Sequence, residues 1–419
     1  MKVGYAKIEI TPEWQTELAG YGYYLKRVFT GVHDPLWARA IAFESDGVSS
    51  LLISCDLVGL GEPLVAQVKT QISQSVGISV ESIMLHSTHT HSGPAAAPLR
   101  GCGRMDQRYV DWLYARLLQV GIDVFSNMAD VESMHWSETP IDCIGFNRVY
   151  GDPGPIDPNV SVLTIRRIDA RPIMIVNYAC HPVSNGTNDM VSADFPGRVM
   201  AVIEENGIDP LYITGFCGDI DPPVQRDYRT MENHGERVAR AALESIDSSV
   251  EIKYDKLSFG IRPISLPYDI LSNNDLLTTL DDAVSCLEED PSDMVALVTI
   301  SWVRDALLDL QKSDMRTHVE TYVQALMIGN LFIIGFPGEV FTQFGLDLRK
   351  RNPGIRLMTA NTSNAPIGYI PTADEFDRQG YASHAAARIY GTYTFRRGFG
   401  EVMTNEAGIL FSRLICDHQ

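Results

Sequence analysis

Three of the ten histidines fall within six positions, in IMLHSTHTHSGP at 83–94. In an extended segment side chains alternate between faces, so His89 and His91 share one face and His86 takes the other. Two imidazoles two residues apart can approach one metal ion, or one can bind while the other faces a substrate. The alternating Thr88 and Thr90 favour the extended conformation, and Ser92-Gly93-Pro94 closes it with a tight turn suited to a site loop. A second candidate is His181 in IMIVNYACHPVSNG (173–186), where an apolar run gives way to His-Pro. A lone histidine at a strand end is more often a structural hydrogen-bonder; His181 gains weight as a partner for His89. Asp194 follows in VSADFPG, at a helix start that a carboxylate can cap. Asp219 and Asp221 in FCGDIDPPV (216–224) can bind metal, position a histidine or form an Asx-turn. Glu339 in FPGEVF opens a helix, where an acid is favourable for the dipole alone. Tyr369 and Tyr381 lie in the loop-rich stretch 364–384.

None of these signals is specific alone. HExxH, GxSxG, a P-loop and a Rossmann glycine pattern are all absent from the sequence. Histidines and acids at strand ends together point to a hydrolytic zinc site, since catalytic zinc takes N/O ligands and keeps a position for water.

These residues need elements to hold them. Short apolar runs at 50–54, 82–86, 173–178, 210–214, 331–336 and 356–360 predict buried strands, and each candidate motif follows one. Helical periodicity covers 108–127, 196–206, 231–246 and 341–351. The stretch 274–313 carries two more helical patterns, with Asn273 and Asn274 as N-cap candidates and Asp-Pro-Ser-Asp at 290–293 between them. Interleaved strands and helices give an α/β class, in which ligands collect at the carboxyl ends of strands. The expectation is one domain over 1–419, with 274–313 as a helical hairpin packed on it.

Composition narrows the function. Lys and Arg number 34 against 53 Asp and Glu, a formal charge of −19 over 419 residues. Nucleic-acid binding needs a basic face, and docking on anionic lipid needs the same. No apolar run is long enough to span a bilayer. The N-terminus lacks a secretory h-region, and seven scattered cysteines without a CxxC pair suit reduced thiols. A cytoplasmic protein without disulfides is expected, with self-association left open.

The ordered motifs resemble the N-terminal catalytic domain of the neutral/alkaline ceramidases, which are zinc-dependent amidases. VGYAKIEITP, GVHDPLWARAIAFES, LLISCDL, HSTHTHSGP, NYACHPVSNG, CGDIDPP, FPGEVFTQFG and GYIPTADEF follow in that family's order, from about residue 3 onward. The resemblance implies mixed β-sheets flanked by helices. It also implies Zn²⁺ held by His89, His181, Glu339 and Tyr369, with His91 beside the reacting amide, Arg148 of FNRVY on the substrate and Tyr381 of GYASH on the carbonyl oxygen. Two departures stand out, Asp221 in place of a serine and Ala382 in place of a glutamate after Tyr381, and a short homologue without the family's C-terminal immunoglobulin-like domain is expected.

The expected chemistry is metal-assisted hydrolysis of an N-acyl amide, on a small-molecule or lipid-like substrate smaller or more polar than ceramide. His91 would move the proton, Tyr381 and Arg148 would steady the oxyanion, and Asp56 and Asp219 would orient the zinc histidines. Asp221, as a carboxylate near the substrate, would favour a cationic or polyhydroxylated group. A zinc esterase or lactonase, a sugar N-deacylase and a non-catalytic binding protein of the same fold are the alternatives.

Overall fold

A computed structural model describes residues 1–22, 26–142 and 144–416. Its largest sheet has the strand order Asp209–Thr214, Ile173–Tyr178, Asn159–Arg167, Met128–Pro140, Lys2–Glu9, Trp37–Ser45, Val48–Cys55 and Ile83–Ser87, with Val250–Glu251 added on Met128–Pro140. The centre is antiparallel, and each end is a parallel pair: Asp209–Thr214 beside Ile173–Tyr178, and Val48–Cys55 beside Ile83–Ser87. A second sheet runs Arg356–Ala360, Leu331–Gly335, His318–Ile328, Leu257–Asp269 and Thr394–Phe395. Its first pair is parallel. The class is mixed α/β, with helices outside two packed sheets.

The period-2 alternation of side chains builds four layers from these strands. Leu52, Met84, Leu163, Ile175 and Leu211 of the large sheet face Leu326, Ile328, Leu331, Ile333 and Met358 of the small one in a shared core. Their sequence neighbours point outward. Ile53, Leu85 and Ala40 meet Val68, Ile72, Leu117 and Val120 from the helices Glu62–Val76 and Gln107–Ser126. Val162, Val176 and Tyr212 meet Val199, Ile203, Val238 and Ala242 from Asp194–Glu205 and Tyr228–Glu244. On the other side, Phe332, Ile334 and Met327 pack under Phe344, Leu410 and Phe411 of Thr342–Arg351 and Phe399–Cys416. Each buried Val, Leu or Ile of this kind contributes about 1.5–3 kcal/mol. No helix among the described residues is long and apolar enough to cross a membrane.

Two helices, Asn273–Glu289 and Met294–Asp309, form the stretch expected as a hairpin. Its cap is Ser272, not Asn273 or Asn274. The Ser272 hydroxyl accepts from the Asp275 amide, and the Asp275 carboxylate accepts from Ser272 in return. That reciprocal box satisfies two helix-end amides at once and leaves both asparagines in the first turn. Cysteines 55, 102, 180 and 217 are buried, while 286 and 416 are exposed; Cys143 lies outside the described residues.

Candidate metal centre

The parallel strands of both sheets end toward one place. His89 lies two residues past Ile83–Ser87, His181 three past Ile173–Tyr178, Asp219 five past Asp209–Thr214 and Glu339 four past Leu331–Gly335.

The extended reading of 83–94 fails beyond Ser87, where the strand stops. His89 has φ +71°, a left-handed conformation that breaks the alternation. It is held there because its amide donates to the Leu57 carbonyl and its Nδ1–H to the Val58 carbonyl, at 2.9 and 2.6 Å. Strained backbone of this kind is kept where surroundings over-determine it. His86 stays on the strand, fully buried. Its Nδ1 pairs with Ser54 at 2.9 Å and its Nε2 accepts from the Thr214 amide at 3.2 Å, so it is a structural histidine.

His181 is fixed in the same manner as His89. Its amide donates to the Ile220 carbonyl, and its Nδ1–H to the Cys217 carbonyl at 2.9 Å. Glu339 donates its amide to the Gly368 carbonyl and sits across from Tyr369 in a short parallel bridge. Gly218 packs against the Glu339 carbonyl so closely that a Cβ would have no room.

With both Nδ1 atoms donating, each Nε2 presents a bare lone pair. The two Nε2 atoms stand 3.1 Å apart, and Glu339 Oε2 lies 3.3 Å from His89 Nε2 and 3.2 Å from that of His181. Oε2 has no hydrogen-bond partner among the described residues. Burial keeps His181 neutral. Three acceptors facing one another at this spacing repel unless a cation lies between them. A tetrahedral ion with bonds of ~2.0 Å separates its ligand atoms by roughly 3.3 Å, so the residues fit a metal. Tyr369, the fourth expected ligand, accepts from Arg148 through its hydroxyl at 2.9 Å, and burial raises its phenol well above the ordinary value.

His91 also belongs to the cluster. Ligand atoms of His89, His91 and His181 lie within 4.8 Å of one another. Its tautomer, however, differs from theirs. His91 Nδ1 accepts the Tyr21 amide at 3.1 Å, so the proton is on Nε2, which has no partner among the described residues. His91 therefore offers a hydrogen-bond donor where the other two offer lone pairs. Gly20 makes this possible: it has φ +88°, and a Cβ there would overlap the His91 ring.

Arg148 is committed. Its guanidinium donates to Asp221 at 3.1 Å, to the Gly218 carbonyl at 2.8 Å and to the Tyr369 hydroxyl at 2.9 Å. The other Asp221 oxygen accepts from Arg226 at 2.9 Å. A carboxylate between two guanidiniums offers no free negative charge, which removes the reason for expecting a cationic substrate group. Tyr381 is 45% exposed, with its ring 5.6 Å from that of Tyr369. Asp194 reaches the site differently from a plain cap. Its oxygens accept the amides of Ser184, Asn185 and Phe195, pinning the loop after His181.

Asp56 and Asp219 do not orient the histidines. Asp56 accepts from Trp37, Arg39 and Thr88; Asp219 accepts from the Thr342 amide and Asn147, both at 2.7 Å. Main-chain carbonyls of residues 58 and 217 take that role, and sequence cannot show a carbonyl's direction. Two contributors were not foreseen. Asn361 follows the apolar run 356–360 as the other motifs follow theirs, and accepts the Val340 amide at 2.8 Å. Tyr390, which nothing in the sequence marks, donates to Glu339 Oε1 at 2.6 Å.

Fold and site thus define a ceramidase-like hydrolase architecture carrying a candidate metal centre. Neutral ceramidase of Pseudomonas aeruginosa is 22% identical over 492 aligned positions, covering 99% of this chain and 72% of that protein. Its crystal structure superimposes with a TM-score of 0.75 at 18% identity, over 98% of this chain and 74% of the other. A ceramidase complexed with C2 gives 0.73 at 17% identity, over 96% and 73%. No family model matches the chain.

Proposed function

We propose that this protein is a zinc-dependent hydrolase of an N-acyl amide. The observation that carries the proposal is the triangle of His89 Nε2, His181 Nε2 and Glu339 Oε2, three acceptors at 3.1–3.3 Å. His89, His181 and Glu339 would hold the ion, with Tyr369 beside them. Zinc in such a site supplies Lewis-acid polarisation and a nucleophile at neutral pH. The protein's own groups complete the chemistry. The His91 Nε2–H points into the site as a ready donor for the amide's developing charge or its leaving nitrogen. Tyr381, the exposed phenol, would meet a carbonyl oxygen as the substrate arrives; such donors lower the barrier by roughly 3 kcal/mol each. Arg148 holds Tyr369 in place from behind.

Asp221 lies 4.0 Å from His181 and pairs with both Arg148 and Arg226. That charged rim suits a polar or short-chain amide better than a two-chain lipid, because hydrocarbon laid against ionised groups costs them their hydration. The test is turnover of matched short-chain amides, their ester analogues and ceramide by zinc-loaded protein. Amide cleavage that exceeds ceramide cleavage is expected. Ester cleavage with no amide cleavage refutes the amidase assignment, and no hydrolysis by protein shown to bind zinc refutes the enzyme assignment.

A further inference from the structure

We propose that Tyr390 is a positioning residue that fixes Glu339 as a one-oxygen ligand, an inference resting on the metal reading above. The two carboxylate oxygens have different surroundings. Oε1 takes the Tyr390 hydroxyl proton at 2.6 Å, the short length of a charge-assisted bond. Oε2 has no hydrogen-bond partner among the described residues and faces both imidazoles. A phenol is protonated at neutral pH and donates only one hydrogen, so Tyr390 occupies one oxygen and turns the other inward. It does for the carboxylate what the carbonyls of residues 58 and 217 do for the histidines. Outer partners of this sort typically change metal affinity 10–100-fold.

Tyr390 is built to hold that position. Its ring meets the Tyr369 ring edge-on at 6.5 Å. The Arg100 amide donates to the carbonyl of the preceding residue, Ile389. Arg388 donates to Thr299, and Trp302 to the Thr392 carbonyl, both from the helix Met294–Asp309. The segment begins with a π-turn at Tyr381–Ala385, before the helical turn Ala386–Tyr390. One extra residue in a turn rotates everything after it by roughly 100°. That rotation sets Tyr390 relative to Tyr381, so one element presents one phenol to the carboxylate and the other to solvent.

The test is zinc affinity by chelator competition for Tyr390→Phe, Glu339→Gln and the double variant, with the unfolding midpoint of each metal-free protein. Tyr390→Phe removes one oxygen and keeps the ring. We expect 10–100-fold weaker zinc binding by Tyr390→Phe protein that still unfolds in one cooperative transition without metal, and no further loss of affinity from Tyr390→Phe in the Glu339→Gln background. Affinity within twofold of wild type, or an equal loss in both backgrounds, overturns the role of Tyr390 and leaves the metal site standing. Wild-type protein that binds no zinc overturns both. A crystal structure of zinc-loaded wild type decides independently of the variants. One Glu339 oxygen on the metal with Tyr390 on the other supports the proposal, and a two-oxygen Glu339 that has released Tyr390 overturns it.

Discussion

His86 should make stability fall as the solution is acidified, by an amount the structure sets. Burial pushes its imidazole down from 6.5 to about 3, and both ring nitrogens are already used by Ser54 and Thr214. Below pH 6.5 the unfolded chain takes up a proton that the folded chain refuses until about pH 3. The folded pKa is lowered, so stability is lost as pH falls through that window, at about 1.4 kcal/mol per pH unit. From pH 7 to pH 4.5 the loss is about 3 kcal/mol. His86→Gln removes this linkage. The variant loses the Ser54 bond and some packing, and is less stable at pH 7 by about 2 kcal/mol. Its disadvantage should shrink and then vanish toward pH 4.5. Asp56 and Asp194, both raised by burial to about 6, act in the opposite sense, gaining stability as pH falls through 6. They are common to both proteins and cancel in the difference. Urea unfolding of both proteins at pH 7 and 4.5, with chelator present, measures it. Parallel stability curves, with the same gap at both values, would refute the linkage.

Other substitutions probe the supports of the site. Gly20→Ala puts a Cβ into the His91 ring at a positive φ; turnover should drop at least tenfold while the melting temperature shifts by only a few degrees, and unchanged turnover counts against the loop's role. Arg39→Met strands the buried Asp56, whose partner lies 3.2 Å away, and should cost about 3–5 kcal/mol by denaturant unfolding. The double variant Arg39→Met/Asp56→Asn should recover most of that, and failure to recover contradicts the ion-pair account. Asp221→Ser releases the Arg148 and Arg226 guanidiniums and should shift selectivity from neutral toward anionic amides about tenfold, or ~1.4 kcal/mol. Unchanged selectivity across a substrate panel means the rim does not touch substrate.

The sequence disclosed the fold unevenly, for a physical reason. Runs such as 173–178 and 331–335 are mainly apolar and buried throughout because strands of parallel pairs are covered on both faces, and they coincide with strands. Leu257–Asp269 and Met128–Pro140 went unread because they alternate with exposed polar positions. Trp37–Ser45 is buried but carries three alanines and an arginine, so its apolar signal is weak. Parallel strands also deliver chain to the site at their carboxyl ends. His89, His181 and Glu339 were therefore visible as polar residues following apolar runs. Local conformation was not visible. A left-handed His89 looks in sequence like any extended Thr-His-Thr. Tyr390 sits among helical residues with no mark of its tie to Glu339, 51 positions away. The commitment of Arg148 to Asp221, 73 residues distant, is a tertiary fact that took away the ground for the cationic group expected from Asp221 alone.

Anomalous diffraction at the zinc edge, from crystals grown with zinc, tests the central claim most directly. The account requires one peak bonded to His89 Nε2, His181 Nε2 and a Glu339 oxygen, with His91 uncoordinated because its Nδ1 accepts the Tyr21 amide. A peak ligated by His91 in place of Glu339, or no peak among these side chains, would contradict it.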